Sequence, residues 1–217
     1  MSDYQKRAIK KVSFISKLLI SLPFVRCVIL NGSLASGTFK ITSDIDLLII
    51  ARDGRIFTTR FFTVGLLRLL GIKRSKNEAI PHAGKFCLNY FLTESFLKIP
   101  TGRGAAMDSY CAVNYSASKL TAGSPVIFRR FIEENNELWS KYSAIKPSRI
   151  VQKNHGSFLT FQKIFELLLC KPIGEWVEKK LKIIQIKSIE SDPRTKSFPR
   201  LIVYNDQELR FHPPKNK

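Results

Sequence analysis

Ile9, Val12, Ile15, Leu18 and Leu19 recur at helical spacing with Lys6, Arg7, Lys10, Lys11 and Lys17 between them, so residues 4–21 predict an amphipathic helix that Pro23 ends. From Val25 to Leu30 the pattern becomes a short β-branched apolar run that stops at Asn31-Gly32, the mark of a buried strand entering a turn. Residues 35–43 are small and polar and suit a short helix or loop, and residues 44–50 predict a second buried strand. After a turn at Asp53-Gly54, residues 56–70 predict a largely buried helix that ends near Gly71. A basic connector, Lys73-Arg74-Ser75-Lys76, leads to a third strand over residues 86–92. Strand, connector, strand, helix, strand is an α/β opening.

The pattern then changes. Pro100, Gly102 and Gly104 mark residues 95–108 as a loop or a domain boundary. Residues 116–141 and 156–170 have helical spacing, and 174–190 predicts a helix with Trp176, Val177, Leu181 and Ile184 on one side and Lys179, Lys180, Lys182 and Lys187 on the other. Leu201 to Tyr204 and Leu209 to His212, separated by Asn205-Asp206, predict a small terminal hairpin. The expected class is α+β (α/β): a mixed sheet flanked by helices over residues 1–98, then a mostly helical region over 99–217 that carries the hairpin.

Charge adds a functional constraint. The 217 residues carry a formal +19, and the basicity is spread through the body, with 17 Lys and Arg against 7 Asp and Glu in residues 1–108 and 19 against 10 in the rest. A folded surface this basic attracts polyanions such as nucleotides, RNA or an anionic membrane; solubility alone is the plainer reading. Cys27, Cys87, Cys111 and Cys170 lie far apart in apolar runs with no C-x-x-C pair, which points to buried reduced thiols and away from a zinc cage. No secretory signal is evident, and Lys17, Pro23 and Arg26 interrupt the stretch closest to a membrane span, so a cytoplasmic protein is expected.

The chemistry concentrates in Leu30-Asn31-Gly32-Ser33, ten residues, and then Asp44-Ile45-Asp46-Leu47. Alternate residues of a strand share a face, so Asp44 and Asp46 project together about 7 Å apart at the backbone, while Ile45, Leu47 and Ile49 face a core. Two carboxylates on one face repel each other and resist burial, and Mg²⁺ removes both problems by taking one or two carboxylates and completing its shell with phosphate oxygens and water. Glycine at position 32 lets backbone approach a phosphate closely. A nucleoside triphosphate (NTP) held between the turn and the aspartates is set for in-line attack at phosphorus.

This arrangement resembles the signature of the polymerase-beta-like nucleotidyltransferase superfamily, most closely its small bacterial and archaeal members: a hydrophobic residue, Gly-Ser, about ten residues, then Asp-hydrophobic-Asp-hydrophobic. The resemblance spans roughly residues 12–95. It implies a nucleotidyltransferase-like sheet, Gly32 and Ser33 on the phosphates with Ser43 beside them, Asp44 and Asp46 as catalytic metal ligands for one or two Mg²⁺ ions, and an NTP as substrate. Active members usually add a third carboxylate from a later strand, where this chain offers Asn89, which cannot accept a proton at neutral pH. Glu94 and Asp108 are the nearby acids.

Two functions remain open at this point: a nucleotidyltransferase that moves a nucleoside monophosphate from NTP to an unidentified acceptor, and a catalytically inactive module of the same fold that binds RNA or a protein partner. A third reading sets the basic helix at 4–21 on a membrane surface. The basic runs at 73–76 and 179–182 suit an RNA backbone or ordinary solvated faces. His82 and His155 read as loop histidines, His212 as part of a docking tail, and Trp139 and Trp176 as core. Oligomeric state is not legible.

Overall fold

The sequence Ile-Asp-Leu-Leu-Ile-Ile-Ala is apolar on both sides of the chain except at Asp46, and such a run folds stably only with both faces of its strand covered. In a computed structural model of the chain, which describes residues 2–75, 83–102, 104–142, 159–170, 172–197 and 201–211, that segment is β2 (Ile45–Ala51) and lies inside a six-stranded sheet. The order is β4-β1-β2-β3-β6-β5. β1 (Val25–Asn31) runs antiparallel to β2, β3 (Phe86–Thr93) runs parallel to it, and β6 (Glu208–Arg210), with β5 (Val203–Tyr204) beside it, extends the sheet past β3. Beyond β1 the other edge is β4 (Lys119–Gly123).

Helices cover both faces. On one, α1 (Asp3–Ile20) and α3 (Ile56–Leu69) set Val12, Ile15, Leu19, Phe57 and Leu67 against Val28, Leu47, Ile49 and Phe91. On the other, α4 (Ala105–Tyr115), α5 (Pro125–Glu134) and α6 (Asn136–Tyr142) set Met107, Cys111, Phe128, Phe131 and Trp139 against Ile29, Leu48, Ile50 and Tyr90. Full burial of such a side chain contributes about 1.5–3 kcal/mol relative to exposure. β2 supplies residues to both cores in strict alternation, which makes it the most constrained element of the fold.

α3 begins without a side-chain cap of its own. Its free N–H groups are met from α8 (Ile173–Glu190): the buried Glu178 carboxylate accepts from Phe57 N at 2.9 Å and Thr58 N at 2.8 Å. A carboxylate there satisfies donors the helix cannot satisfy itself and complements its dipole. α7 (Leu159–Leu168) is tied on similarly, with Glu166 accepting from Phe24 N and Arg26 Nη1, each at 2.8 Å.

The expected elements of residues 1–98 are present with ends shifted by a residue or two, and the terminal hairpin forms, as an extension of the main sheet. Three readings change. Residues 116–141 hold β4 before α5 and α6, α4 starts at Ala105 where a loop was expected to run to 108, and Trp176 is 62% exposed while Trp139 is buried. No described helix is long and apolar enough to cross a membrane. His82, His155 and His212, with Lys76, lie outside the described residues.

Candidate functional site

β1 ends at Asn31, which pairs with Asp46 across the antiparallel ladder. The chain then turns into the short α2 (Gly32–Ser36) with Gly32 at φ 64°, a left-handed conformation that costs glycine little. The turn needs glycine for a second reason. A Cβ built at position 32 would overlap Asp46 Oδ2 and lie 3.2 Å from its Cγ, so the turn backbone rests directly against that carboxylate. Ser33 follows in the turn, and its carbonyl accepts from Ser36 Oγ at 3.2 Å. Ser43 closes the turn before β2: its hydroxyl accepts from Lys40 N at 3.1 Å, and its N–H donates to Lys40 O at 2.9 Å.

Asp44 precedes β2 and Asp46 is its second residue, both partly exposed. Asp46 and Cys87 are register partners on the parallel strands β2 and β3. Carboxylate oxygens of Asp44 and Asp46 and the Cys87 sulfur lie within 4.8 Å of one another, the one such group of potential metal ligands among the described residues.

Asn89 stands where the third acid was expected. The register slips between Leu47 and Leu48, so β3 carries one extra residue there. This bulge brings the Asn89 amide to Asp46, where Nδ2 donates to Oδ1 at 3.0 Å. Oδ1 of Asn89 has no hydrogen-bond partner among the described residues although the residue is only 6% exposed. A buried amide oxygen left unpaired is costly, and a water or an ion is what ordinarily satisfies such a group.

Arg74, in the connector before β3, donates from Nη1 to Asp44 Oδ2 at 2.7 Å and stands 3.9 Å from the Cys87 sulfur. Burial opposes its charge, but Asp44, then Cys87 and Asp46, more than offset this and hold the guanidinium above its ordinary pKa. Tyr110 of α4 feels the same cluster: burial first, then Asp46, Cys111, Cys87 and Asp44, push its phenol well up, so it stays protonated.

The other nearby acids are engaged away from this cluster. Glu94, beyond the end of β3, lies 3.6 Å from Arg26, and Asp108 accepts from Gly102 N at 3.0 Å. Of the basic runs, Lys182 is bound to Asp206 at 2.6 Å, and Lys73 reaches the Arg74 carbonyl at 3.1 Å. Cys27 and Cys111 are buried as expected, and burial pushes the Cys27 thiol up to about 12; Cys87 is half-buried and Cys170 exposed.

Sequence reasoning did not single out Arg74 or Cys87 for the site. For Cys87 a signal existed, since it shares strand parity with Asn89. For Arg74 none did, because its contact with Asp44 depends on the path of a connector.

Residues 6–83 match the family model described as nucleotidyltransferase domain, a span that holds the Gly32-Ser33 turn and both aspartates and stops short of β3. The resemblance expected from the sequence holds over this stretch, and the mixed sheet with its flanking helices is consistent with that fold. Among solved structures, one described as a crystal structure of a toxin-antitoxin with AMP-PNP is similar at 16% identity and a TM-score of 0.32, over 59% of this chain and 89% of that chain. No curated protein matches.

Proposed function

We propose that this chain is a metal-dependent nucleotidyltransferase that moves a nucleoside monophosphate from an NTP to an acceptor nucleophile. The observation that carries this reading is the contact between the glycine turn and Asp46: phosphates held at Gly32 and Ser33 would lie against the Asp46 carboxylate. The donor set fits a divalent cation, with two carboxylates and a sulfur within 4.8 Å of one another and the Asn89 amide hydrogen-bonded to one of them. When bound, such a cation neutralises charge on the phosphate oxygens and on the departing pyrophosphate.

The protein's own groups then have distinct tasks. Backbone and hydroxyl at Gly32-Ser33 fix the phosphates, which holds the α-phosphorus in line with the incoming nucleophile. The new bond to that phosphorus forms as the bond to the bridging oxygen of pyrophosphate breaks. Asn89, a neutral amide whose Nδ2 donates to Asp46, cannot take the nucleophile's proton, so that proton passes to water. In this reading α4, with the protonated Tyr110, forms part of the acceptor side, and residues 99–217 supply most of that wall.

Calorimetric titration of ATP, GTP, CTP and UTP with Mg²⁺ or Mn²⁺ present, followed by transfer from α-phosphate-labelled NTP, tests the proposal. Metal-dependent binding that Asp44→Ala abolishes is expected. Absence of any metal-dependent NTP binding, or equal binding by the variant, would remove it.

Arg74 favours a second reading. A guanidinium already balances Asp44, so the acid pair is tolerable without metal, and an inactive module of this fold would use its formal +19 to hold RNA or an acidic protein partner. Affinity that falls steeply with salt, is unchanged by Asp46→Asn and comes without nucleotide transfer selects this reading.

A further inference from the structure

We infer that Cys87 is the third donor of the metal site, and that the chain therefore takes a thiophilic divalent cation such as Zn²⁺ or Co²⁺ in preference to Mg²⁺. This rests on the reading of Asp44 and Asp46 as metal ligands and specifies what completes them.

The first argument is register. Cys87 lies directly beside Asp46 on the neighbouring parallel strand, and its sulfur is within 4.8 Å of the carboxylate oxygens of both aspartates. One ion bound through sulfur at about 2.3 Å and oxygen at about 2.0–2.2 Å keeps its donors less than about 4.5 Å apart. Small rotamer changes thus bring all three onto one cation.

The second argument is the unpaired oxygen. Asn89 is 94% buried, its Nδ2 lies on Asp46 Oδ1 at 3.0 Å, and its Oδ1 has no hydrogen-bond partner among the described residues. The amide head is thus held at the cluster with an acceptor unused, and a cation there, or water bound to it, satisfies that oxygen. A neutral amide cannot replace the missing negative charge, whereas a thiolate restores it.

The third argument is Arg74. Its Nη1 lies between Asp44, at 2.7 Å, and the Cys87 sulfur, at 3.9 Å, so a cationic group already bridges an oxygen and a sulfur donor. A divalent ion at that point would make both contacts in place of the guanidinium. Donor type then decides which ion: Mg²⁺ demands oxygen in a near-octahedral shell, while thiolate sulfur selects softer metals.

Raw affinity order does not test this, because Zn²⁺ outcompetes Mg²⁺ at most nitrogen, oxygen or sulfur sites. Spectroscopy does. Co²⁺ is titrated into the full chain carrying Cys170→Ser, which removes the exposed thiol, and the near-ultraviolet thiolate-to-cobalt charge-transfer band is followed. The expected result is a saturable band at one equivalent that Cys87→Ser abolishes, with Co²⁺ affinity lowered roughly ten- to hundredfold. Cys87→Asp keeps metal binding, loses the band and shifts preference toward Mg²⁺; it also serves if Cys87→Ser does not fold. Calorimetric Co²⁺ binding without the band overturns the role of Cys87 and leaves the two-carboxylate site standing. No binding of Co²⁺ or Mg²⁺ overturns both.

Discussion

Nη1 of Arg74 donates to Oδ2 of Asp44 at 2.7 Å, so one of the two acids carried by the nucleotidyltransferase signature is already paired with a cation of the protein itself. Both side chains are about one-fifth exposed, which leaves the pair only partly screened by solvent. A divalent ion at the site competes with this contact. Arg74→Gln is therefore expected to tighten divalent-metal binding about fivefold, equivalent to roughly 1 kcal/mol, by calorimetry. Weaker metal binding in the variant would count against the competition.

Gly32→Ala combines a left-handed backbone with a Cβ that overlaps Asp46 Oδ2. Loss of about 1–2 kcal/mol of stability is expected from denaturant unfolding. Metal-dependent nucleotide binding should fall much further than stability, because the substitution displaces the carboxylate. Equal losses in the two measurements would indicate that the turn is only structural.

Asn89→Asp replaces the Asp46 hydrogen bond with a second negative charge at the same place. Without metal the variant should lose about 1–3 kcal/mol, and a saturating divalent cation should restore most of it. Thermal unfolding with and without the ion reads both effects. A metal-independent loss would show that position 89 does not face the cation.

Much of this site follows from local chemistry. Asp44 and Asp46 share a face because strands alternate, and Gly32 stands at a turn because the apolar run ends there. The rest depends on partners distant in the chain. β4 has a single fully buried apolar residue, Leu120, and becomes a strand through its ladder with β1, so residues 116–141 show helical spacing in isolation. α4 follows Gly102 and Gly104 at once, and those glycines obscured its start. The bulge at Asn89 interrupts strand parity, which hides that Tyr90 belongs to the same side of the sheet as Asn89 and Asp46. Trp176 has the spacing of a core residue, but its side of α8 lies open, with Lys180 5.9 Å from the ring centroid.

Glu166 makes the docking of α7 sensitive to acid. Burial alone would raise its pKa, yet hydrogen bonds from Arg26 and Phe24 N, with Arg52 nearby, hold it below the ordinary 4.5. A depressed folded-state pKa means that this stabilisation is complete above about 4.5 and is lost as pH falls through the lower folded value. Glu166→Gln should reduce stability at neutral pH by about 1 kcal/mol and flatten its dependence on pH below 4.5. Urea unfolding across that range measures both.

Glu178→Ala strips the carboxylate from the start of α3 and leaves the Phe57 and Thr58 N–H groups buried without acceptors. About 2–3 kcal/mol should be lost, with hydrogen exchange fastest in the first turn of α3. Glu178→Gln should recover part of it. Uniform exchange across the sheet would contradict a local cap.

β6 lies against β3 although more than a hundred residues separate them in the chain. During synthesis, the backbone donors and acceptors along that side of β3 stay unclaimed until the ribosome has released Glu208 to Arg210. A nascent chain halted before that point displays a strand ready to pair with any neighbour, which makes termination anywhere between β3 and β6 an aggregation hazard even though the aspartates are long since in place.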